Sequence, residues 1–588
     1  MLHCATHDEY LTHLRGQFIR YQDDADFHRA FALVAYEFVS LLTLSLDGVR
    51  ESLLSLYCPT GQGAPYDPCA MLRSWLLMTL RRVSSPEKWA DQLKENRVLA
   101  ILAGFHPAST PSATAHRDVL TRFLDGPYES RRIQDVTASQ GLKGLHERNL
   151  SDMTQERRAE ANAAHTSQSE VLTRRLLDEA EQPLDETRLA VRCHRMLVEL
   201  GLLPSLDAGL FTRTTDLELA MDTSPVESAA SAQGQKTCDC APGSTDCDHK
   251  RLYTSDTAQW CFHQHRGFIF GDEAVTILVR FGGHDIPLLT LMGRGNESDF
   301  TLAPQAVDDL LKLIREYDLP FTLKVVIGDG HYDGMALYRY FKEKGIQTVF
   351  PLKGSVQDTS KDAPESPATP DQKAKAAKAA KAANTSTTTP KTATTTTKKK
   401  TKKTLLPPTF DAFPELRFDV DGTPLCPGGC RMRRHGHDAK KDALFFNCPA
   451  MRPTKKEGFV FHPEDCPFGK NCCPDPDKKM GVTAYIPCDT NLRYFPEIAR
   501  DSKRFKTLYA SRSAAERSNS VDDSYGLDHT CRHSAYAAIK LTFINIVKHA
   551  RLRWLEMTHN DRPAEGRHQQ QSLLTALLAG QMPAFSSG

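Results

Sequence analysis

Three acidic side chains stand where carboxylates could act together. Asp222 ends the short apolar run 217–222, and Asp329 follows the strand-like run 323–327 after a single glycine, Gly328. Glu516 lies in a helical stretch, 509–519, where Tyr509, Arg512 and Glu516 recur at spacings of three and four and therefore share a face. Three carboxylates brought together suit hard divalent cations, and in phosphate chemistry such a set commonly holds Mg²⁺ between carboxylates and substrate oxygens. An Asp after a strand, taken alone, reads first as a turn or helix N-cap residue. A second acid in a similar setting, and a third on a helix beside an arginine, turn the pattern toward catalysis. Arg512 beside the acids would hold an anionic strand against their repulsion; the plainer alternative is a surface ion pair, worth little.

Two other groups of residues suit softer ions. Cys426, Cys430, Cys448, Cys466, Cys472, Cys473 and Cys488 fall within 410–488, with Cys-Pro pairs at 426, 448, 466 and 473, in a stretch poor in large apolar side chains. Such a segment needs help to fold, and in a reducing compartment a structural zinc serves better than disulfides. On spacing, the preferred ligands are Cys426, Cys448, Cys466 and one of the adjacent pair Cys472 and Cys473, with Cys430 as an alternative; the competing reading is small buried thiols without a metal. Nearer the first acid, Cys238-Asp239-Cys240, Cys247-Asp248-His249 and then Cys261, His263 and His265 offer zinc donors at a spacing that matches no common finger. A hydrophilic loop with reduced thiols is the preferred reading there.

The elements that must position the acids read as a sheet with flanking helices. Strand 323–327, helix 334–344 and strand 347–352 form a βαβ unit, whose strands should be parallel, and chemistry in such sheets gathers at the carboxyl ends of strands. Segments 268–271, 273–281 and 285–291 read as hairpin strands, and helix 301–317 returns the chain to the strand of Asp329. Ahead of them lie helical patterns at 31–56, 71–82, 86–93, 95–103 and 113–124, with Ser85 as N-cap and Pro86 at the first helical position of the third. Short helices with tight turns fit a plain bundle or a helix-turn-helix unit. Residues 126–205 read as a solvated helical connector. Residues 354–408 are Ala-Lys repeats, Thr runs and Lys clusters, with ten lysines and no acid from Lys373 to Lys403; they should be disordered and could hold phosphate without reading sequence. A further helix is expected over 533–557, and the tail beyond it should be loose.

With these residues in order, the chain resembles the DDE transposases of bacterial insertion sequences. The likeness rests on Asp222, Asp329 and Glu516, on the strand-Asp-Gly-x-Tyr-Asp block ending at Asp333, on the run Gly345 to Lys353, and on Tyr509, Arg512 and Glu516 as a tyrosine-x2-arginine-x3-glutamate signature. The run Gly61 to Leu76, and Leu99 to Phe105 followed by Pro111-Ser112, look like the N-terminal domain that precedes the family's catalytic core. The likeness spans roughly Phe38 to Glu556. It departs at Asp523, where the family's signature continues with a DNA-contacting lysine.

The resemblance implies an α/β fold: an RNase H-like mixed sheet core, an N-terminal all-helical domain, and a Cys-rich insertion between the second Asp and the Glu. The implied domains are a helical DNA-binding domain over 1–125, a connector over 126–210, the core in two parts over 211–353 and 491–560, a disordered basic linker over 354–408, the insertion over 409–490, and a flexible tail over 561–588. The implied activity is Mg-dependent (or Mn-dependent) cleavage and strand transfer at the terminal inverted repeats of a mobile element, with two metal ions on Asp222, Asp329 and Glu516. Tyr509, Arg512 and Arg517 would meet DNA, and structural zinc would sit on Cys426, Cys448, Cys466 and Cys472. The partners are double-stranded DNA, as element ends and target, and a second copy in the synaptic complex. Two alternatives stay open: a catalytically impaired DNA-binding descendant, and an RNase H-like nuclease without strand transfer.

At 588 residues the chain exceeds one core. Its net charge of +1 hides the local lysine runs, and its sixteen cysteines come without a signal-like start, so a cytoplasmic, nucleoid-associated protein is expected. No apolar run approaches the ~20 residues a membrane helix needs.

Overall fold

The structure, a computed structural model, describes residues 2–61, 64–128, 146–148, 168–211, 215–241, 249–263, 266–353, 407–454, 458–462, 465–466, 480–528, 531–558 and 563–581. The chain separates into two compact units, Met1–Phe350 with Ile498–Gly588, and Pro351–Glu497. The expected linker 354–408 lies almost wholly outside the described residues, as do Cys247, Cys472 and Cys473.

The strands of the first unit are β1 (His146–Arg148), β2 (Thr215–Glu227), β3 (Gln235–Lys236), β4 (Arg251–Tyr253), β5 (Gln259–His263), β6 (Gly267–Phe281), β7 (His284–Arg294), β8 (Phe321–Ile327) and β9 (Gln347–Val349). One six-stranded sheet runs β5-β6-β2-β8-β9, with β7 also paired to β6. β7, β6 and β2 are successively antiparallel, and β2, β8 and β9 are parallel. This mixed order is consistent with an RNase H-like core. Burial explains the sequence pattern of β8: Leu323 is inside and Lys324 outside, and then Val325 to Ile327 are all buried, as in a central strand covered on both faces. The Met335–Glu343 helix links β8 to β9, which gives the expected parallel βαβ unit. The Asp299–Glu316 helix, capped by Ser298, links β7 to β8.

Several expectations differ from the structure. Residues 268–281 were read as two strands and form one, β6, because its backbone pairs with β2 along one edge while its partner on the other edge changes from β5 to β7. The run 31–56 breaks into helices Ala35–Leu42 and Arg50–Ser55; Leu44 and Leu46 between them are buried without being helical. The connector was read as solvated helix, yet it contributes strand β1, paired with β4, and a buried helix Leu189–Leu197. Cys193, Met196, Leu197 and Leu200 there join the same core as the N-terminal helices and the Ser534–Met557 helix. The expected loose tail is also corrected. Residues Pro563–Ala579 are helical, with Leu574 and Leu577 buried in that core and the Gln570 amide donating to the Phe31 carbonyl at 2.7 Å. Its apolar residues at helical spacing found a partner surface that the sequence could not show.

The second unit holds β10 (Arg433–Asp438), β11 (Ala443–Asn447), β12 (Met451–Thr454), β13 (Gly458–Phe461) and β14 (Thr483–Pro487). They form a three-stranded sheet, β10-β11-β14, and a two-stranded ribbon, β12-β13. A small core of Phe418, Met432, Leu444, Phe446, Ile486 and Phe495 includes the thiols Cys426 and Cys488. Among the described residues, no helix is long and apolar enough to cross a membrane.

Candidate active site

Register brings the two aspartates together. β2 and β8 run parallel with Ala220 opposite Ile327, so each aspartate stands two residues beyond a paired position. β8 ends there. β2 continues through Asp222 to Glu227, still paired with β6, and Asp222 is therefore mid-strand rather than at a strand end as its sequence suggested. Asp329 caps a single helical turn, Gly330–Tyr332, accepting the His331 backbone N–H at 2.7 Å, while its second oxygen lies 2.9 Å from His331 Nδ1. The reading of Asp329 as a cap residue is thus what the structure shows. Gly328 is required beside it: a Cβ there would lie 2.6 Å from the Tyr332 ring and 3.1 Å from Phe350. Tyr332 is buried, and its hydroxyl meets that of Thr223, next to Asp222, at 2.8 Å.

Glu516 arrives on the Ser513–Ser524 helix. The continuous helix expected over 509–519 is instead divided after the Lys503–Ala510 helix, with Arg512 at the N-cap position of the second. Small residues let that helix lie close to the sheet, since Ala514 and Ala515 are fully buried against Ala220 and Leu278. From the other side, the Lys548 ammonium reaches Asp522 at 2.6 Å and the Ser518 hydroxyl at 2.8 Å, all three buried. Burial raises the Asp522 carboxyl above its ordinary range although Lys548 opposes it.

Arg512 ties the corner together. Its guanidinium lies 2.9 Å from Glu516 and 3.9 Å from Asp222. Burial acts against its charge, but Asp222, Tyr509, Glu516 and Asp329 outweigh it and hold the guanidinium more firmly protonated. Asp222 is the strained member. Burial pushes its carboxyl up to about 7, and the negative charges of Asp329, Glu516 and Asp299 add to this against Arg512. Asp329 is half-buried as well, and desolvation acts to raise it, yet the His331 hydrogen bonds and charge hold it below the ordinary range. A half-buried corner of three carboxylates, open enough that the Glu516 side chain is 54% exposed, offers the oxygen donors a hard divalent cation takes, although their ligand atoms do not all lie within 4.8 Å of one another.

Tyr509 packs against Val325, Ile327 and Val349, stacked on Phe505 at 5.7 Å, and its hydroxyl is raised by burial and by Asp329 and Glu516. Arg517 is turned elsewhere. Its fork grips Asp285 of β7 with two contacts, 2.8 and 2.9 Å, and it donates to the Ser513 hydroxyl. Two neighbours escaped the sequence reading. Asn519 donates to Asp222 at 3.1 Å, and His331 holds Asp329. Asn519 follows Glu516 by three on one helical face, a spacing that could have pointed to it.

In the second unit, Cys426, Cys448 and Cys466 are buried, but Cys448 packs beside Cys466 in a cluster separate from Cys426. Cys430 is the link. Its thiol is raised by burial and by neighbouring Cys426 and Cys466, and a tight turn, with Gly429 at φ +80° and the Cys426 N–H on the Cys430 carbonyl, brings 426 and 430 together. Cys472 lies outside the described residues.

Two family models match this chain. A transposase DDE domain matches residues 274–546, which contain Asp329, Tyr509, Arg512 and Glu516 and begin after Asp222. A transposase domain (DUF772) matches residues 35–125. No curated protein and no solved structure matches it.

Proposed function

We propose that the chain, matched by a transposase DDE domain and a further transposase domain, is a DDE transposase of the insertion-sequence type that binds the terminal inverted repeats of its own element and cuts and joins DNA at the carboxylate corner. The observation that carries this reading is the convergence of Asp222, Asp329 and Glu516 from β2, the end of β8 and a helix almost two hundred residues further on, with Arg512 in contact with two of the three. Asp222, Asp329 and Glu516 hold the metal. When bound there, two Mg²⁺ or Mn²⁺ ions supply the activation of the attacking water or 3′ hydroxyl and the stabilisation of the leaving oxygen.

The remaining work falls to side chains. His331 fixes one Asp329 oxygen and keeps that carboxylate ionised. Asn519 orients Asp222. Arg512 exchanges a carboxylate for a phosphate oxygen as the strand enters, holding it by a charge-assisted fork, and Tyr509 borders the same surface. Arg517 contributes through Asp285, by fixing the helix that carries Glu516, and meets the backbone of DNA only at its exposed edge. Residues 1–125 carry the end-binding helices. Acting on two ends calls for two copies in the synaptic complex. The insertion holds structural zinc through Cys426, Cys430, Cys448 and Cys466.

A second reading has its own observation. Asp523 occupies the position of the family's lysine, with burial and neighbouring Asp528 raising its carboxyl and Arg266 opposing, an environment that repels phosphate. One experiment separates the readings: cleavage and end binding are measured on DNA carrying the reading frame with its native flanks. The proposed function requires wild-type cleavage and joining, with Asp329→Asn losing at least ~10³-fold in cleavage while binding is kept. Binding without wild-type cleavage means an impaired descendant, and cleavage without joining means a nuclease.

A further inference from the structure

The sheet that carries Asp222 leads directly into a small hairpin whose tip gathers soft ligands. β3 (Gln235–Lys236) and β4 (Arg251–Tyr253) pair with Gln235 opposite Leu252 and Lys236 opposite Arg251, so the residues just after β3 and just before β4 face each other. Those residues are Cys238, Cys240 and His249. One ligand atom from each lies within 4.8 Å of the others, and Cys240 Sγ and His249 Nδ1 are 3.3 Å apart. For a tetrahedral zinc with Zn–S near 2.3 Å and Zn–N near 2.0–2.1 Å, the sulfur–nitrogen edge is ~3.6 Å. The observed edge therefore needs adjustment by only a few tenths of an ångström to receive the ion. Two thiolates and a neutral imidazole also cancel the charge of a divalent cation.

The hairpin is held by short ladders, β3 on β4 and β4 on β1. β3 pairs over two residues, and the residues described from Gln235 to Lys250 include no large aliphatic or aromatic side chain. Its apolar support lies at the base, where Tyr253 packs with Ala258 and Phe270. Near the tip the Thr237 hydroxyl donates to the Lys250 carbonyl at 2.8 Å, closing the two arms just below the thiols. A short polar hairpin whose arms are brought together at two cysteines and a histidine is the arrangement a structural metal stabilises, because the ion replaces the missing core.

We propose that Cys238, Cys240 and His249 bind a zinc ion that pins the β3–β4 hairpin, as a site distinct from the carboxylate corner and from the Cys-rich second unit. The donor set selects zinc over magnesium, since thiolate and imidazole are soft or borderline ligands and Mg²⁺ takes oxygen. The three described donors define one face of a tetrahedron and leave one position for a fourth ligand; Cys247 lies outside the described residues. The other close Cys pair in the first unit differs. Cys4 and Cys69 lie 2.9 Å apart beside Asp67, but both Asp67 oxygens already accept backbone N–H groups, from Ala5, Cys69 and Ala70.

The test uses the full chain purified under reducing conditions. Zinc per chain is measured for the wild type, for Cys238→Ser/Cys240→Ser, and for Cys58→Ser as a control outside the cluster. The double variant should carry one zinc less than the wild type, and Cys58→Ser should carry the same as the wild type. Equal zinc in the double variant and the wild type overturns the proposal. Should the double variant fail to fold, the wild type decides alone, by mass-mapped alkylation. With zinc stripped, Cys238 and Cys240 should react with iodoacetamide at least ~10-fold faster, and zinc added back should restore protection. Rates at these two residues that ignore zinc overturn the proposal.

Discussion

The carboxylate corner and the thiol groups are both candidate ligand sets, and they are assembled by opposite means. The corner draws on residues far apart in sequence, placed by the register of β2 and β8 and by Ala514 and Ala515 seated against the sheet. Its scaffold is the large core of the first unit, which holds the three acids at one corner with the Asp222 carboxyl pushed up to about 7, although their oxygens do not all lie within 4.8 Å of one another. The thiol groups draw on residues close in sequence, placed by turns such as the one at Gly429 or by the two-residue ladder of β3. Packing of distant elements gathers the acids, whereas the thiols sit where packing is thin and where a bound metal would complete the structure.

That contrast can be broken from either side. The largest effect is expected at Lys548, because Lys548→Ala leaves Asp522 buried without its partner. The first unit should lose about 3–5 kcal/mol of stability by denaturant unfolding, whether or not zinc is present. An unchanged midpoint would mean that the Glu516 helix is not held by this pair.

Next is a pH effect. His549 is fully buried with Nε2 on the Pro287 carbonyl at 2.7 Å and Nδ1 on the Ser205 hydroxyl at 2.8 Å, and burial pushes its pKa down to about 3. The unfolded chain binds a proton at this group near 6.5 and the folded chain does not. Its contribution is thus complete above pH 6.5 and is lost progressively as pH falls toward 3, by up to a few kcal/mol. In His549→Gln the loss of stability between pH 6.5 and 4 should be measurably shallower than in the wild type.

Ala515→Leu comes third. The added side chain has no room against Ala220 and Leu278, so a cost of about 1–3 kcal/mol is expected, together with a fall in cleavage of ~10²-fold as Glu516 is displaced. Retained cleavage would show that close helix-to-sheet packing does not set the corner. Asn519→Ala should be milder, ~10-fold in cleavage with end binding unchanged, since one hydrogen bond to Asp222 is lost. Smallest of all on the core is chelation. Treatment with a zinc chelator should open 407–497 and the β3–β4 hairpin to protease and move the unfolding midpoint of the first unit less than any substitution above.

The strand ahead of Asp329 and the βαβ unit after β7 were legible because the β-branched run and Gly328 are local signals, whereas the helix read over 509–519 is divided at Ser511 and Arg512. Asp222 in the middle of a strand was not legible, because β2 outruns its parallel partner and only pairing with β6 reveals it. Arg517 looked equivalent to Arg512 by sequence. It differs because Asp285, more than two hundred residues away, lies across from it. The Pro563–Ala579 helix and the buried 189–207 segment were missed for the same reason, as their apolar faces meet surfaces supplied by distant parts of the chain. Cys430, ranked below Cys448 on spacing, lies between Cys426 and Cys466 through a glycine turn that spacing does not encode.

On the proposed function, Asp222, Asp329 and Glu516 together hold one divalent-metal site. Iron-directed cleavage of the polypeptide tests it most directly: Fe²⁺ replaces Mg²⁺, ascorbate and peroxide generate radicals at the bound ion, and the chain breaks are mapped by mass spectrometry. A shared site gives breaks clustered near residues 222, 329 and 516 together, suppressed by excess Mg²⁺ and absent in Asp329→Asn. Breaks at only one of the three segments, or breaks that Mg²⁺ does not suppress, would contradict it.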